Sequence, residues 1–165
     1  MGEFADRLAG LHVRAALPDD SLAVELVGRD EVTLRIQQYE RLTSPDLERR
    51  LAQLARLLCA RHTAEYFRIR SDVTEQTLTH ESPALGRQER EFRAARDELI
   101  ARGRSADGRI AVETRGMREW TVRIRPDTLR TLSEAEFVAA VREAAAELIA
   151  DQRDQIRDIA VRTYR

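Results

Sequence analysis

The stretch RIAVETRGMREWTVRIRP, Arg109 to Pro126, decides the fold. Ile110, Val112 and Thr114 alternate with Ala111, Glu113 and Arg115; beyond Gly116, Trp120, Val122 and Ile124 alternate with Thr121, Arg123 and Arg125. Period-two runs on either side of a glycine turn predict a β-hairpin with one buried face. Pro126, which has no amide hydrogen to give to a ladder, closes it. The same hairpin occurs earlier in the chain. LAVELVGRDEVTLRI, Leu22 to Ile36, falls on Ile110 to Ile124 with a shift of 88 residues, without a gap and with eight identities in fifteen positions. Its apolar face is Leu22, Val24, Leu26, Val32, Leu34 and Ile36, and Val27 to Asp30 make its turn. The chain is a tandem repeat.

Each hairpin is followed by a helix signature. Thr43-Ser44-Pro45-Asp46 supplies a capping hydroxyl, a proline suited to the first turn and a carboxylate at the positive end of the helix dipole. Leu47, Leu51, Leu54 and Leu58 then form one helical stripe, and the helix is expected to run to about Phe67. In the second copy Ser133 and Glu136 read as a capping box, with Phe137, Val141, Ala144 and Leu148 as the stripe. Here the shift is 90, because the connection is two residues longer. The last helix is expected to continue to Tyr164 through Ile156, Ile159 and Ala160, although the polar run Asp151 to Asp154 favours a protruding tail over a packed one.

The remaining segments read less sharply. Phe4, Leu8 and Leu11 are spaced for a short first helix within Met1 to Leu17. A helix is expected from Arg87 to about Arg102, with Phe92, Ala95, Leu99 and Ile100 apolar, ended by Gly103 and a Ser105-Ala106-Asp107-Gly108 turn. The aperiodic stretch between the copies reads as a linker, so the expected organisation is a unit over 1–68, a linker over 69–85 and a unit over 86–165. Units that small bury little apolar surface alone, and the two are expected to share a core as an intramolecular pseudo-dimer. The fold class is α+β.

Composition narrows the function. With 42% hydrophobic and 35% charged residues the chain is globular rather than disordered. The formal net charge of −1 gives no global electrostatic argument for nucleic acid. Residues 1–85 hold 11 Arg against 14 acids and residues 86–165 hold 17 against 15, so the excess of positive charge lies in the second copy. No run approaches the ~20 apolar residues of a membrane span. Glu3 and Asp6 stand where a signal peptide carries positive charge, and the lone Cys59 fits a reducing compartment; a cytoplasmic protein is expected.

No catalytic constellation is visible: there is no glycine-rich phosphate loop, no nucleophile signature and no paired histidines, since His12, His62 and His80 lie in separate contexts. Cys59 and His62 stand three apart, but two ligands without a second pair do not make a metal site. Neither enzyme activity, a cofactor nor a metal is expected. The candidate functional residues are arginines. Arg115, Arg123 and Arg125 alternate onto the outer face of the second hairpin, where the first copy offers Val27, Arg35 and Gln37. Arg87, Arg90, Arg93, Arg96, Arg102 and Arg104 lie along the expected helix, against Glu89, Glu91, Asp97 and Glu98. Intrahelical pairs such as Arg93 with Asp97 are the plainer explanation of those charges, each contributing a few tenths of a kcal/mol.

Arg87 to about Asp158 resembles the YbaB/EbfC family of small bacterial nucleoid-associated proteins. The features that carry the resemblance are the charged helix, the Ser105-Ala106-Asp107-Gly108 turn, the hairpin centred on Gly116 and the strand end Val122-Arg123-Ile124-Arg125-Pro126. Leu129, Leu132-Ser133-Glu134 and the alanines at 139, 140, 144, 145 and 146 follow in order. Arg125 stands where the family commonly has Asp. Leu22 to Phe67 looks like a diverged copy without a long preceding helix or the proline after its second strand. The resemblance implies a fused, asymmetric version of an intertwined α-β-β-β-α homodimer. It further implies a nucleoid protein that binds DNA with little sequence preference through backbone phosphates, with Arg87, Arg90, Arg93, Arg96, Arg115, Arg123 and Arg125 as the expected contacts. The alternative is a non-enzymatic interaction or chaperone-like scaffold, since relatives of the fold occur with actinobacterial type VII (ESX) secretion. Pairing of whole chains into a homodimer is left open by the sequence.

Overall fold

The computed structural model describes residues 2–74 and 86–165. The first unit holds helix α1 (Glu3–Ala9), strands β1 (His12–Ala16), β2 (Leu22–Val27) and β3 (Glu31–Ile36), a 3-10 turn at Tyr39–Arg41, and helix α2 (Ser44–Thr74). The second holds α3 (Arg87–Asp97), β4 (Ile100–Arg104), β5 (Ile110–Arg115), β6 (Glu119–Ile124), the short α4 (Thr128–Thr131) and α5 (Glu134–Thr163). The strands form two separate antiparallel sheets, β1-β2-β3 and β4-β5-β6. The fold is α+β, built of two similar units.

Both hairpins form in the register that the repeat implies. Leu22 pairs with Ile36 and Ile110 with Ile124; at the far end Val27 pairs with Glu31 and Arg115 with Glu119. The turn glycines, Gly28 and Gly116, have φ of +64° and +59°, and each donates its amide to the strand start below it, to Leu11 and Leu99. A side chain at Gly116 would also collide with the Asp97 carbonyl, so the glycine is needed for both conformation and space.

Two strands depart from the sequence expectation. β1 replaces the end of the expected first helix, which stops at Ala9. β4 replaces the end of the expected Arg87–Arg102 helix, which stops at Asp97. Gly103 is therefore no helix terminator. It sits inside β4, where a methyl group would overlap the Ala144 carbonyl and lie 2.5 Å from the Leu148 nitrogen. The strand lies directly on the backbone of α5, and only glycine permits that approach.

Helix α2 runs through Thr74, past the expected end at Phe67 and into the stretch read as linker; Ile69 packs with Leu11 and Val13. Residues 75–85 of that stretch, His80 and Leu78 among them, lie outside the described residues. The C-terminal half of α5 does not protrude either. Ile159 is buried with Leu99, Ala101 and Leu148, while Phe92 of α3 and Ile156 pack against that cluster.

Both helices carry the expected caps. The Ser133 amide donates to Glu136 at 3.0 Å and the Glu136 amide to Ser133 Oγ at 3.2 Å. Thr43 and Asp46 make the same reciprocal pair at 3.2 and 3.3 Å. Helix α2 packs on β1 and β2 of its own unit and on β6 of the other, and α5 packs on β4 and β5 and crosses to β3. One core results. Leu22, Leu47 and Leu51 from the first unit lie in the same cluster as Ile110, Ile124 and Phe137 from the second. The helices also shield outward strand edges. Arg61 donates to the Arg14 carbonyl at 2.8 Å, Asp151 accepts from the Arg102 amide at 2.8 Å, and Glu48 accepts from the Ile124 amide at 3.3 Å. Arg61 and Asp151 are equivalent in the repeat, as are Arg14 and Arg102, so one position serves both edges with opposite hydrogen-bond polarity.

Candidate nucleic-acid interface

With the apolar residues turned toward the helices, every second residue of each sheet faces outward. In the first sheet the outward set across neighbouring strands is His12, Arg14 and Ala16 with Val27, Glu25 and Ala23, then Glu31, Thr33 and Arg35. In the second it is Ile100, Arg102 and Arg104 with Arg115, Glu113 and Ala111, then Glu119, Thr121 and Arg123. The pattern extends one step beyond the strands, to Ser21 with Gln37 and to Arg109 with Arg125, each joined by a backbone hydrogen bond at 2.9 and 2.8 Å.

Both faces keep two glutamates at equivalent places, Glu25 and Glu31 against Glu113 and Glu119. Both keep two arginines, Arg14 and Arg35 against Arg102 and Arg123. They differ at five positions: His12 stands where Ile100 does, and Ala16, Ser21, Val27 and Gln37 stand where Arg104, Arg109, Arg115 and Arg125 do. One face is balanced and the other is strongly cationic.

Ion pairs temper but do not cancel that excess. Arg102 bonds Glu113 across the strands at 2.8 Å, Arg115 bonds Glu98 at the end of α3, and Arg109 lies 3.5 Å from Asp107. Asp107 is in turn held below the usual carboxylate range by the Ser105 hydroxyl and the Arg109 amide. Arg104, Arg123 and Arg125 are exposed and, among the described residues, make no ion pair. On the first sheet Glu25 takes both His12 and Arg14 at 3.0 Å, and its carboxyl is pulled down by the His12 hydrogen bond.

The structure divides the arginines singled out in the sequence into two groups. Arg115, Arg123 and Arg125 lie on the cationic sheet face. Arg87, Arg90, Arg93 and Arg96 lie on α3, which packs against α5 on the inner side of that sheet, so the two groups do not form one surface. On α3, Arg87 bonds Glu91 at 2.7 Å, Arg93 bonds Glu89 at 2.8 Å rather than Asp97, and Arg96 lies 3.8 Å from Asp97. Arg102 and Arg104, assigned from sequence to that helix, belong to the sheet face instead, and Arg109 joins them. The repeat carried the signal: continued back without a gap, the shift of 88 matches Leu11 with Leu99, Arg14 with Arg102 and Asp19 with Asp107.

Cys59 and His62 both line an apolar cavity between the units, and burial pushes the Cys59 thiol up to about 12 and the His62 imidazole below its ordinary range. Among the described residues no three His, Cys, Asp or Glu side chains converge as metal ligands, and no helix is long and apolar enough to cross a membrane. No protein-family model matches the chain, and no curated protein or solved structure matches it either.

Proposed function

We propose that the chain is a non-enzymatic, YbaB/EbfC-like protein that holds DNA through backbone phosphates, working in the cytoplasm at the nucleoid, and that the outer face of β4-β5-β6 is its contact surface. The observation that carries this reading is the set of four arginines added to one sheet face while its twin stayed neutral. Planar guanidinium groups suit phosphate oxygens, and contacts of that kind position a protein on DNA without reading its sequence. Arg104, Arg123 and Arg125 are the leading contacts because they are exposed and not spent on nearby carboxylates.

The test converts one face into the other. The variant Arg104→Ala, Arg109→Ser, Arg115→Val, Arg125→Gln gives the second sheet the first sheet's residue at each of the four added arginines. Titrated with duplex DNA by fluorescence anisotropy, the parent should bind at low salt and weaken steeply as salt rises. The variant should lose at least tenfold in affinity, and its salt slope should fall by roughly 0.9 for each phosphate contact removed. Absence of binding at low salt, or an unchanged variant, sinks the reading.

A protein-binding scaffold is the second reading, supported by the neutral first face with Val27 exposed at its tip. A partner that survives nuclease treatment in a pull-down and is lost in Val27→Arg would favour it.

A further inference from the structure

The two inner sheet faces do not close on one another. Between them and the two long helices lies a cavity of about 270 Å³. Its position follows from the repeat, since equivalent residues face each other across it: Ala55 and Ala145, Leu58 and Leu148, His62 and Gln152. The alanine pair leaves the space unfilled where larger side chains would have closed it.

The cavity has a direction. At its inner end are the buried Val24, Leu54, Ile110 and Val122; at its outer end are Arg29, His62, Thr63 and Gln152. The lining runs along α2 from Leu51 to His62, which is roughly 16 Å of helix, and along the first hairpin from Val24 in β2, over roughly 10 Å of strand, to the turn at Arg29. A volume of about 270 Å³ spread over that length is narrow. Such a volume over that length suits one extended chain better than a compact fused ring system. An enclosed apolar void of ~150 Å³ takes up benzene, and a larger, mostly apolar cavity with a polar mouth suits an amphiphile. Folding keeps it open at a cost in stability that a closed core would avoid.

The mouth sets the charge of the ligand. Arg29 is exposed and makes no ion pair among the described residues, while its neighbour Asp30 is engaged by Arg153 at 3.6 Å. His62 and Gln152 add hydrogen-bonding groups that are neutral near pH 7, since burial keeps the imidazole below its ordinary range. We propose that this cavity binds an unbranched, medium-chain carboxylate, its chain between the two units and its carboxylate at Arg29. The site lies on the inner side of both sheets, opposite the cationic face, so it stands or falls independently of DNA binding.

Trp120, the single tryptophan of the chain, lines the cavity and reports on it. Decanoate, added to the full chain below its micelle-forming concentration, should shift Trp120 emission with saturation at one molecule per chain and raise the melting temperature. Decanol should bind at least tenfold more weakly. Ala145→Phe, which fills the space from α5, should abolish the response while circular dichroism shows a folded chain; Ala55→Phe does so from α2 should the first variant fail to fold. Arg29→Ala should bring decanoate down to the level of decanol. No saturable response to decanoate, a response unchanged in a folded cavity-filling variant, or equal binding of decanoate and decanol by the parent would each overturn the proposal.

Discussion

The two units have nearly one backbone plan and two unlike exteriors. Strand register matches residue for residue, both long helices carry reciprocal caps, and both hairpin tips turn on a positive-φ glycine. Outside, four positions separate a balanced sheet from a cationic one. The inner residues mostly stay apolar but not the same, with Leu26 against Thr114, Val32 against Trp120, Leu47 against Phe137 and Leu54 against Ala144, so volume is redistributed across a core shared by both units. The outer residues recur at Ala23, Glu25, Glu31, Thr33 and Arg35 and change around that shared set, chiefly by the four added arginines. The repeat thus tolerates both a repacked interior and a recharged face on one backbone plan.

That comparison can be broken most completely by cutting it. Halves separated within 75–85 each leave the common cluster of Leu22, Leu47, Ile110 and Phe137 open to water. Expressed alone, neither half should show a cooperative urea transition, and mixing should restore one. Two stable, monomeric halves would refute the shared core.

A smaller contrast concerns the residues that β1 and β4 turn toward their helices. Gly103→Ala should destabilise by about 3 kcal/mol, at the upper end of overpacking effects, because the added methyl overlaps the backbone of α5. The equivalent Ala15 is buried with room for its methyl, so Ala15→Gly should cost only about 1 kcal/mol, mostly from chain entropy. Urea midpoints of the two variants measure both. Equal effects would mean that the helices sit equally close.

The smallest contrast is between His62 and its counterpart Gln152. Burial lowers the folded-state pKa of His62, so the unfolded chain takes up a proton first. The stability tied to the neutral imidazole is present above the ordinary value of 6.5 and is lost as pH falls through the lowered folded value. The urea midpoint should therefore decline modestly between pH 7.5 and 5.5, and His62→Gln, which makes the two units alike there, should flatten that decline. A parent with no such decline would argue that the group is solvated.

The hairpins, caps and stripes were legible in the sequence because each rests on local period or on groups three residues apart. The first and fourth strands were not. Their inward residues are Val13, Ala15, Ala101 and Gly103, small because a helix backbone lies against them, and small residues write no strong period-two pattern. The same closeness hid half the cationic face, since Arg102 and Arg104 read as the end of a charged helix while β4 went unseen. The length of α2 was missed because its last turns pack on β1 and α1 through few apolar residues, Ile69 chief among them. What the outer face contacts is a matter of charge placement in three dimensions, and only the assembled sheet displays it.

Arg61, Asp151 and Glu48 have a consequence for assembly. Each bonds a backbone group on the outward edge of a strand, where a foreign strand would otherwise add. Of the four outer strand edges, those of β1, β4 and β6 are thus each engaged at one backbone group, which disfavours lateral growth there. A strand joining either sheet by edge pairing at β1, β4 or β6 would first have to displace one of these side chains.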